Sequence, residues 1–267
     1  MSLRILVYTC VFGGYDRIYP PVAPEPEIDY VLVTDDPTMQ VGGWRTLAID
    51  PGQFETAKAP NRYFKMLGHR RELSGYDISI YVDGNIRVIG RLWELVDRFR
   101  DTGAAFASYR HPLRQSVQEE AACCLAGGKL KDAGRLQAEL EEFRSEGFPD
   151  QQGLMETGVV LKNHHHPQLE AAMELWWGLF ERYDSRDQIG LPYVQWKLGL
   201  PTWYIEPSYR LPNPHFGIYP HLGTGKAANL HAHVTARSYD SALHALVLRA
   251  WQAKWALQRS LRKRREA

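Results

Sequence analysis

Ile78-Ser79-Ile80-Tyr81-Val82 runs straight into Asp83-Gly84-Asn85. A short apolar run rich in β-branched and aromatic residues, stopped by turn formers, has the signature of a buried β-strand. Two more such runs lie upstream: residues 3–11, which end at Gly13-Gly14, and Tyr30-Val31-Leu32-Val33-Thr34, which stops at Asp35-Asp36-Pro37. They are continuous rather than alternating, as in strands covered on both faces, and strands of that kind belong to α/β sheets.

Helical patterns fill the intervals. Residues 62–72 fit a helix entered through Pro60, with Tyr63, Phe64 and Leu67 as an apolar stripe and Arg62, Lys65 and His69 sharing another face. Core-facing stripes recur in Leu92, Leu95, Val96 and Phe99, in Leu136, Leu140 and Phe143, and in Leu169, Ala172, Met173, Trp176 and Phe180. Residues 155–161 fit another strand, and residues 190–225, rich in Pro, Gly and Tyr, fit loops over a site. A last helix over about 241–262 places Leu243, Leu246, Val247, Ala250 and Trp251 on one face and ends in Arg262-Lys263-Arg264-Arg265. The expected fold is α/β: one Rossmann-like domain over residues 1–236, with a mainly parallel central sheet flanked by helices, then a C-terminal helix with a basic tail over 237–267. Ligands of such sheets lie outside the carboxyl ends of the strands, where two of these runs place acids.

The 267 residues are 44% apolar, 12% aromatic and 24% charged, which supports a sizeable core and rules out disorder. The formal charge is +1 and the pI near 7.8, so no global field draws nucleic acid. No run approaches the roughly 18 apolar residues of a bilayer span, and the apolar start lacks a cleavage site, so a soluble, cytoplasmic protein is expected. Cys10, Cys123 and Cys124 have neither metal-type spacing nor disulfide density, which fits a reducing compartment and three small buried side chains.

Asp83-Gly84-Asn85 carries the sharpest chemistry. In an extended segment residues two apart point the same way, so Asp83 and Asn85 would offer oxygens to one hard cation, Mn²⁺ or Mg²⁺, while Gly84 admits a phosphate to the backbone. The same triplet is equally good turn chemistry. Lys58-Ala59-Pro60-Asn61-Arg62-Tyr63-Phe64-Lys65 sets three cations beside a helix start, either a diphosphate grip or a solvated basic face. Asp35-Asp36 would bond a base or ribose, or cap the turn before Pro37. There is no P-loop, no dinucleotide fingerprint and no Gly-x-Ser-x-Gly elbow, which weighs against kinase, dehydrogenase and serine hydrolase chemistry. His164-His165-His166 before Pro167 fits an exposed turn and stays outside the site.

Taken in order, Tyr8-Thr9-Cys10-Val11-Phe12-Gly13-Gly14-Tyr15-Asp16, the Lys58–Lys65 segment, Tyr81-Val82-Asp83-Gly84-Asn85, Glu156-Thr157-Gly158 and Ser185-Arg186-Asp187-Gln188 resemble a glycosyltransferase-like family long catalogued as a domain of unknown function (DUF six-sixteen), within the GT-A nucleotide-diphospho-sugar transferase superfamily. The resemblance implies a GT-A fold, a nucleotide-sugar donor with UDP favoured, a glycan acceptor, and Mn²⁺ or Mg²⁺ at a DxD-like position held by Asp83 and Asn85. It places Thr9, Phe12, Tyr15 and Asp35 around the nucleoside and Lys58, Asn61, Arg62, Lys65 and Gly84 with the donor phosphates. Asp187, Gln188 and Glu156 would flank the anomeric carbon, with Asp187 or Glu156 handling the acceptor proton or stabilising the oxocarbenium-like sugar. His221-Leu222-Gly223-Thr224-Gly225-Lys226 resembles a late element in which His221 binds metal and Lys226 the diphosphate; its spacing is one residue short, which keeps His215 and His231 as alternatives. The implied activity is sugar transfer in surface or capsular polysaccharide synthesis. A metal-dependent hydrolase and a non-catalytic nucleotide-sugar or glycan-binding module are the alternatives. The basic end would rest on the inner face of an anionic membrane or stand solvated.

Overall fold

The computed structural model describes residues 3–56, 58–70, 73–128, 132–223 and 225–266, with the side chains of 259 and 261–266 outside the description. A seven-stranded sheet is built from β1 (Ile5–Val11), β2 (Ile28–Thr34), β3 (Arg45–Ala48), β4 (Ile78–Val82), β6 (Phe106–Arg110), β7 (Met155–Asn163) and β8 (Thr202–Ile205), in the order β3-β2-β1-β4-β7-β6-β8. β7 alone runs against its neighbours β4 and β6, and every other pairing is parallel. A small antiparallel pair, β5 (Ile86–Val88) with β9 (Phe216–Ile218), sits past the end of β4.

Period-two geometry divides the core. Leu6, Tyr8 and Cys10 of β1 face one apolar cluster, and Ile5, Val7 and Val11 face the other. The first is covered by α1 (Ala59–Leu67), α3 (Val117–Ala126), α4 (Ala133–Ser145), α5 (Leu169–Tyr183) and α6 (Asp187–Leu198), the second mainly by α2 (Trp93–Asp101). Covered on both faces, the strands need the unbroken apolar runs seen in the sequence.

The C-terminal end of α1 is tied to the sheet by polar groups. Tyr8 Oη donates to the Phe64 carbonyl at 2.9 Å, and Lys162 Nζ donates to Tyr8 Oη at 3.0 Å and to the Lys65 carbonyl at 2.9 Å. These bonds fasten the helix end to the sheet, the Phe64 carbonyl also accepting from the Gly68 N–H. Burial pushes the Lys162 ammonium down to about 7.

Several expectations are corrected. The helix expected over 62–72 starts at Ala59 and ends at Leu67, followed by a 3₁₀ turn over Gly68–Arg70; Glu72 lies outside the described residues. Residues 190–225 are not all loop: α6 runs through Pro192, β8 and β9 follow, and α7 (Lys226–Arg237) succeeds them. Pro192 has no N–H for the Gln188 carbonyl, yet residues 187 to 195 of α6 are all buried, and packing outweighs that lost bond. Cys10 and Cys124 are buried, but Cys123 is exposed. The last helix, α8 (Ala242–Glu266), packs His244, Trp251 and Trp255 against His231 and His233 of α7, which leaves Leu243 and Leu246 facing outward rather than into a core.

Candidate functional site

The carboxyl ends of the parallel strands gather the quoted motifs. Lys65, fully buried on α1, places Nζ 2.6 Å from Asp187 Oδ2 and 3.2 Å from Asp83 Oδ1. Asp187, at the first turn of α6, also accepts from Thr157 Oγ1 at 2.6 Å and has Arg62 Nη2 at 3.5 Å. Tyr81 Oη donates to Asp83 Oδ1 at 2.8 Å and bonds Asn61 Oδ1 at 3.2 Å, while Asn61 Nδ2 holds the Cys10 carbonyl at 3.1 Å. Five segments distant in sequence, the start of α1, the ends of β1 and β4, the start of β7 and the first turn of α6, meet in one polar knot. Asp83, about one third exposed, is its opening to solvent.

A β-bulge makes the β7 contribution possible. The pairing of β6 with β7 shifts between Ser108 and Tyr109, and Ser108 Oγ lies 2.6 Å from both the Glu156 and Val159 carbonyl oxygens. Of the three displaced residues, 157 to 159, Thr157 and Gly158 meet the knot. The Asp83 N–H donates to the Gly158 carbonyl at 2.8 Å, so the acid is fixed by backbone as well as by Lys65. Gly158 is packed so closely by Tyr209 Oη, Ile86 and Asp83 Oδ2 that no larger residue fits without displacement.

The electrostatics separate Asp187 from Glu156. Burial by itself would raise the Asp187 carboxyl, but the charges of Arg62, Lys65 and Arg186 outweigh it and hold the group well below the usual carboxylate range. It is a fixed anion and a poor proton acceptor. Glu156 is fully buried beside Ser208 and Arg210, and burial raises its carboxyl above the ordinary value. Burial, reinforced by Glu156 and Asp83, pushes the Tyr209 phenol well up, so it stands as a neutral donor.

Other expected residues fall nearby or elsewhere. Asp35 accepts from the Gly13 N–H at 2.8 Å, which pins the loop after β1, where Gly13 and Gly14 both adopt φ of +62°. Tyr15 projects from that loop, 66% exposed, its ring 5.3 Å from that of His221. Gln188 is buried, with Nε2 on the Met155 carbonyl at 3.4 Å. Thr9 is buried in mid-strand, paired with Leu32 and Val82, and Phe12 stacks on Phe64. Lys58 pairs with Asp184 at 2.7 Å, and Lys226 is exposed in the first turn of α7. Thr224 lies outside the described residues.

The expected cation ligands do not assemble. Residues 83 to 86 form a turn closed by the Ile86 N–H on the Asp83 carbonyl at 2.8 Å, so Asp83 and Asn85 lack the extended geometry that would aim them together. Asn85 is buried, its Nδ2 donating to the Tyr219 carbonyl at 3.0 Å while its own carbonyl accepts from the Tyr219 N–H at 3.0 Å. His221 Nδ1 lies 3.0 Å from the Asp16 carboxylate, His215 Nδ1 lies 2.7 Å from the Arg91 carbonyl, and His231 packs on Trp251 and Trp255. Among the described residues no three His, Cys, Asp or Glu side chains converge as a metal site. As arranged, Asp83 and Asn85 do not form the convergent pair of ligands expected from the triplet.

Sequence reasoning missed four neighbours. Thr157 touches Asp187, Tyr209 covers Gly158, Arg210 pairs with Glu156, and the buried Asp16 meets His221 beside Gly84. Thr157 and Asp16 stand inside quoted motifs, so their position was a signal. Tyr209 and Arg210 had none, because they reach the site only through the fold.

A family model described as TOD1/MUCI70, glycosyltransferase-like domain, matches residues 1–206. The probable hexosyltransferase MUCI70 of Arabidopsis thaliana is 25% identical over 228 residues, 75% of this chain and 39% of the relative, so the chain spans about two fifths of that protein's length. Among solved structures, the chain is similar in outline to the bifunctional glycosyltransferase WbbM (TM-score 0.47, 11% identity, 77% of this chain and 39% of that one). It is likewise similar to mouse xyloside xylosyltransferase 1 (TM-score 0.45, 11% identity, 77% and 86%) and to the galactosyltransferase LgtC with donor and acceptor sugar analogues (TM-score 0.41, 13% identity, 74% and 72%). The match over 1–206 takes in all five motifs that build the polar knot, and the chain belongs to the TOD1/MUCI70 glycosyltransferase-like domain family.

Proposed function

We propose that the protein is a GT-A-type hexosyltransferase that moves a sugar from a nucleotide-sugar donor, a UDP-sugar, to a carbohydrate acceptor in polysaccharide assembly. The observation that carries this reading is Lys65 bridging Asp83 and Asp187 at the carboxyl ends of the sheet, with Arg62 and Thr157 on the same carboxylate. Sugar transfer from a nucleoside diphosphate needs positive charge for the leaving diphosphate and a fixed anion for the cationic sugar. Arg62, one fifth exposed, supplies the first at the mouth of the site, and the depressed Asp187 carboxylate supplies the second. Glu156 is raised but sealed by Ser208 and Arg210, and its role is to orient Arg210 toward the acceptor side. The Gly13-Gly14 loop held by Asp35, with Tyr15 above it, is the surface for the nucleoside.

The test is calorimetric titration of UDP, with GDP for comparison, into wild type and Arg62→Ala, each with Mn²⁺ or with chelator, followed by a screen of UDP-sugars with and without glycan acceptors. UDP binding that persists in chelator and falls at least tenfold in Arg62→Ala is the expected result, with acceptor-dependent product. Sugar release at full rate without acceptor would identify a hydrolase instead, and tight binding with no turnover a binding module. No binding of either nucleotide would overturn the reading.

A further inference from the structure

The structure leaves an apolar stripe on α8 without a protein partner among the described residues. Leu243, Leu246 and Leu257 are 68%, 65% and 61% exposed. At positions i, i+3 and i+14 they lie on one side of a helix, with Ala250 at i+7 between them. The opposite side, His244, Trp251 and Trp255, is the one that packs on α7. α7 in turn is held to the body by Arg87, which donates to the Ala236 carbonyl at 2.7 Å and pairs with Asp240 at 2.6 Å. The stripe is therefore presented by an anchored element.

Charge selects the occupant. Arg249, Lys254, Arg259 and the run Arg262-Lys263-Arg264-Arg265 give the helix seven cations, and no Asp or Glu occurs from Ala242 to Arg265. A second copy of α8 would bring like charge against like along the whole length, so the stripe does not suit self-pairing. A surface that is apolar beneath and anionic on top matches both features: leucines enter the acyl boundary while Lys254, within the stripe, reaches up to headgroups. The helix of 25 residues, about 37 Å long, lies in the plane of such a surface. No helix among the described residues is long and apolar enough to cross a membrane.

We propose that α8 docks the protein on an anionic lipid bilayer, through Leu243, Leu246 and Leu257 with the surrounding cations. This inference is independent of the donor-site reading.

The experiment is co-sedimentation of the full chain with vesicles of phosphatidylcholine alone or of equal parts phosphatidylcholine and phosphatidylglycerol, at low and high salt. Wild type is compared with Leu243→Ser/Leu246→Ser/Leu257→Ser and with Arg249→Gln/Lys254→Gln, and circular dichroism checks that each variant is folded. Binding to the anionic vesicles that weakens in salt, and falls about tenfold or more in the leucine variant and severalfold in the charge variant, is expected. Because both substitution sets are on exposed positions, the charge variant tests the proposal even if the leucine variant misfolds. Absence of binding to anionic vesicles, equal binding to neutral ones, or wild-type binding by both variants would overturn it. So would a concentration-dependent dimer that the leucine variant abolishes with no lipid binding.

Discussion

Lys65 Nζ lies 2.6 Å from the carboxylate of Asp187, a residue 122 positions further along the chain, and both side chains are buried. The ammonium is shared with Asp83, so one cation balances two acids. Breaking a buried pair by removing one partner leaves an uncompensated charge, at a cost of about 3–5 kcal/mol. Lys65→Met is expected to lose that order of stability in urea denaturation and to abolish transfer. Lys65→Met/Asp187→Leu should regain much of the stability but none of the activity. A double variant no more stable than the single one would remove the pairing argument.

Asn85 occupies the second acidic place of a DxD-like triplet, and Asn85→Asp looks like a repair. The geometry predicts the reverse. Its amide N–H₂ donates to the Tyr219 carbonyl, and a carboxylate there would face an acceptor in a buried position. The substitution is expected to cost about 1–3 kcal/mol in thermal or urea unfolding, with no gain in Mn²⁺ affinity by calorimetry.

Gly158→Ala places a methyl group against Tyr209 Oη, 2.9 Å from Ile86 Cδ1 and 3.1 Å from Asp83 Oδ2. Overpacking of this kind costs about 1–3 kcal/mol. Since the atoms that must give way line the site, turnover should fall more than tenfold, whereas Gly178→Ala, which meets nothing within 4 Å, should leave it unchanged. Steady-state rates on the two variants, with melting temperatures, check the contrast.

Glu139 on α4 is buried against α6, and burial pushes its carboxyl up to about 8 from an ordinary 4.5, opposed by the Ser185 hydroxyl. The unfolded chain thus releases this proton first, so the group's contribution is full below pH 4.5 and is lost as pH rises toward 8, on the order of a few kcal/mol in total. Glu139→Gln keeps the shape and removes the ionisation. Its stability should exceed that of wild type at pH 8 and match it at pH 4; parallel pH profiles for the two proteins would refute the assignment.

β1, β2, β4 and β7 were legible because each is a long buried run, as in the passage from Val82 into Asp83-Gly84, whereas β6 was not read and β3 and β8 are four residues long and partly exposed, too short and mixed to stand out. α6 was hidden: Pro192 and Gly190 argue locally for loop, and only burial among Trp176, Leu179 and Phe143 makes them helical. Asn61, Arg62, Lys65, Asp83 and Asp187 stand in contiguous motifs and were singled out from them. Their mutual distances were not, because a bridge over 122 residues leaves no periodic trace. The bulge at Ser108 and the arrival of Arg210 were equally silent, since both depend on register between strands far apart in sequence. The geometry at Asp83-Gly84-Asn85 was silent for another reason: the triplet reads as an extended pair of ligands or as a turn, and the bonds that make it a turn come from Tyr219, far along the chain.

The reversed direction of β7 brings a long connection back to the site. β6 finishes and β7 starts at the same edge of the sheet, so the chain between them, with α3 and α4, leaves and returns on the side where the polar knot lies. An insertion or deletion there need not thread the sheet or alter its strand order. Its helices carry core residues, Val117 and Ala121 on α3 and Leu136 and Phe143 on α4, so only the turns of that interval can change length without disturbing the frame that holds Lys65 between its two acids.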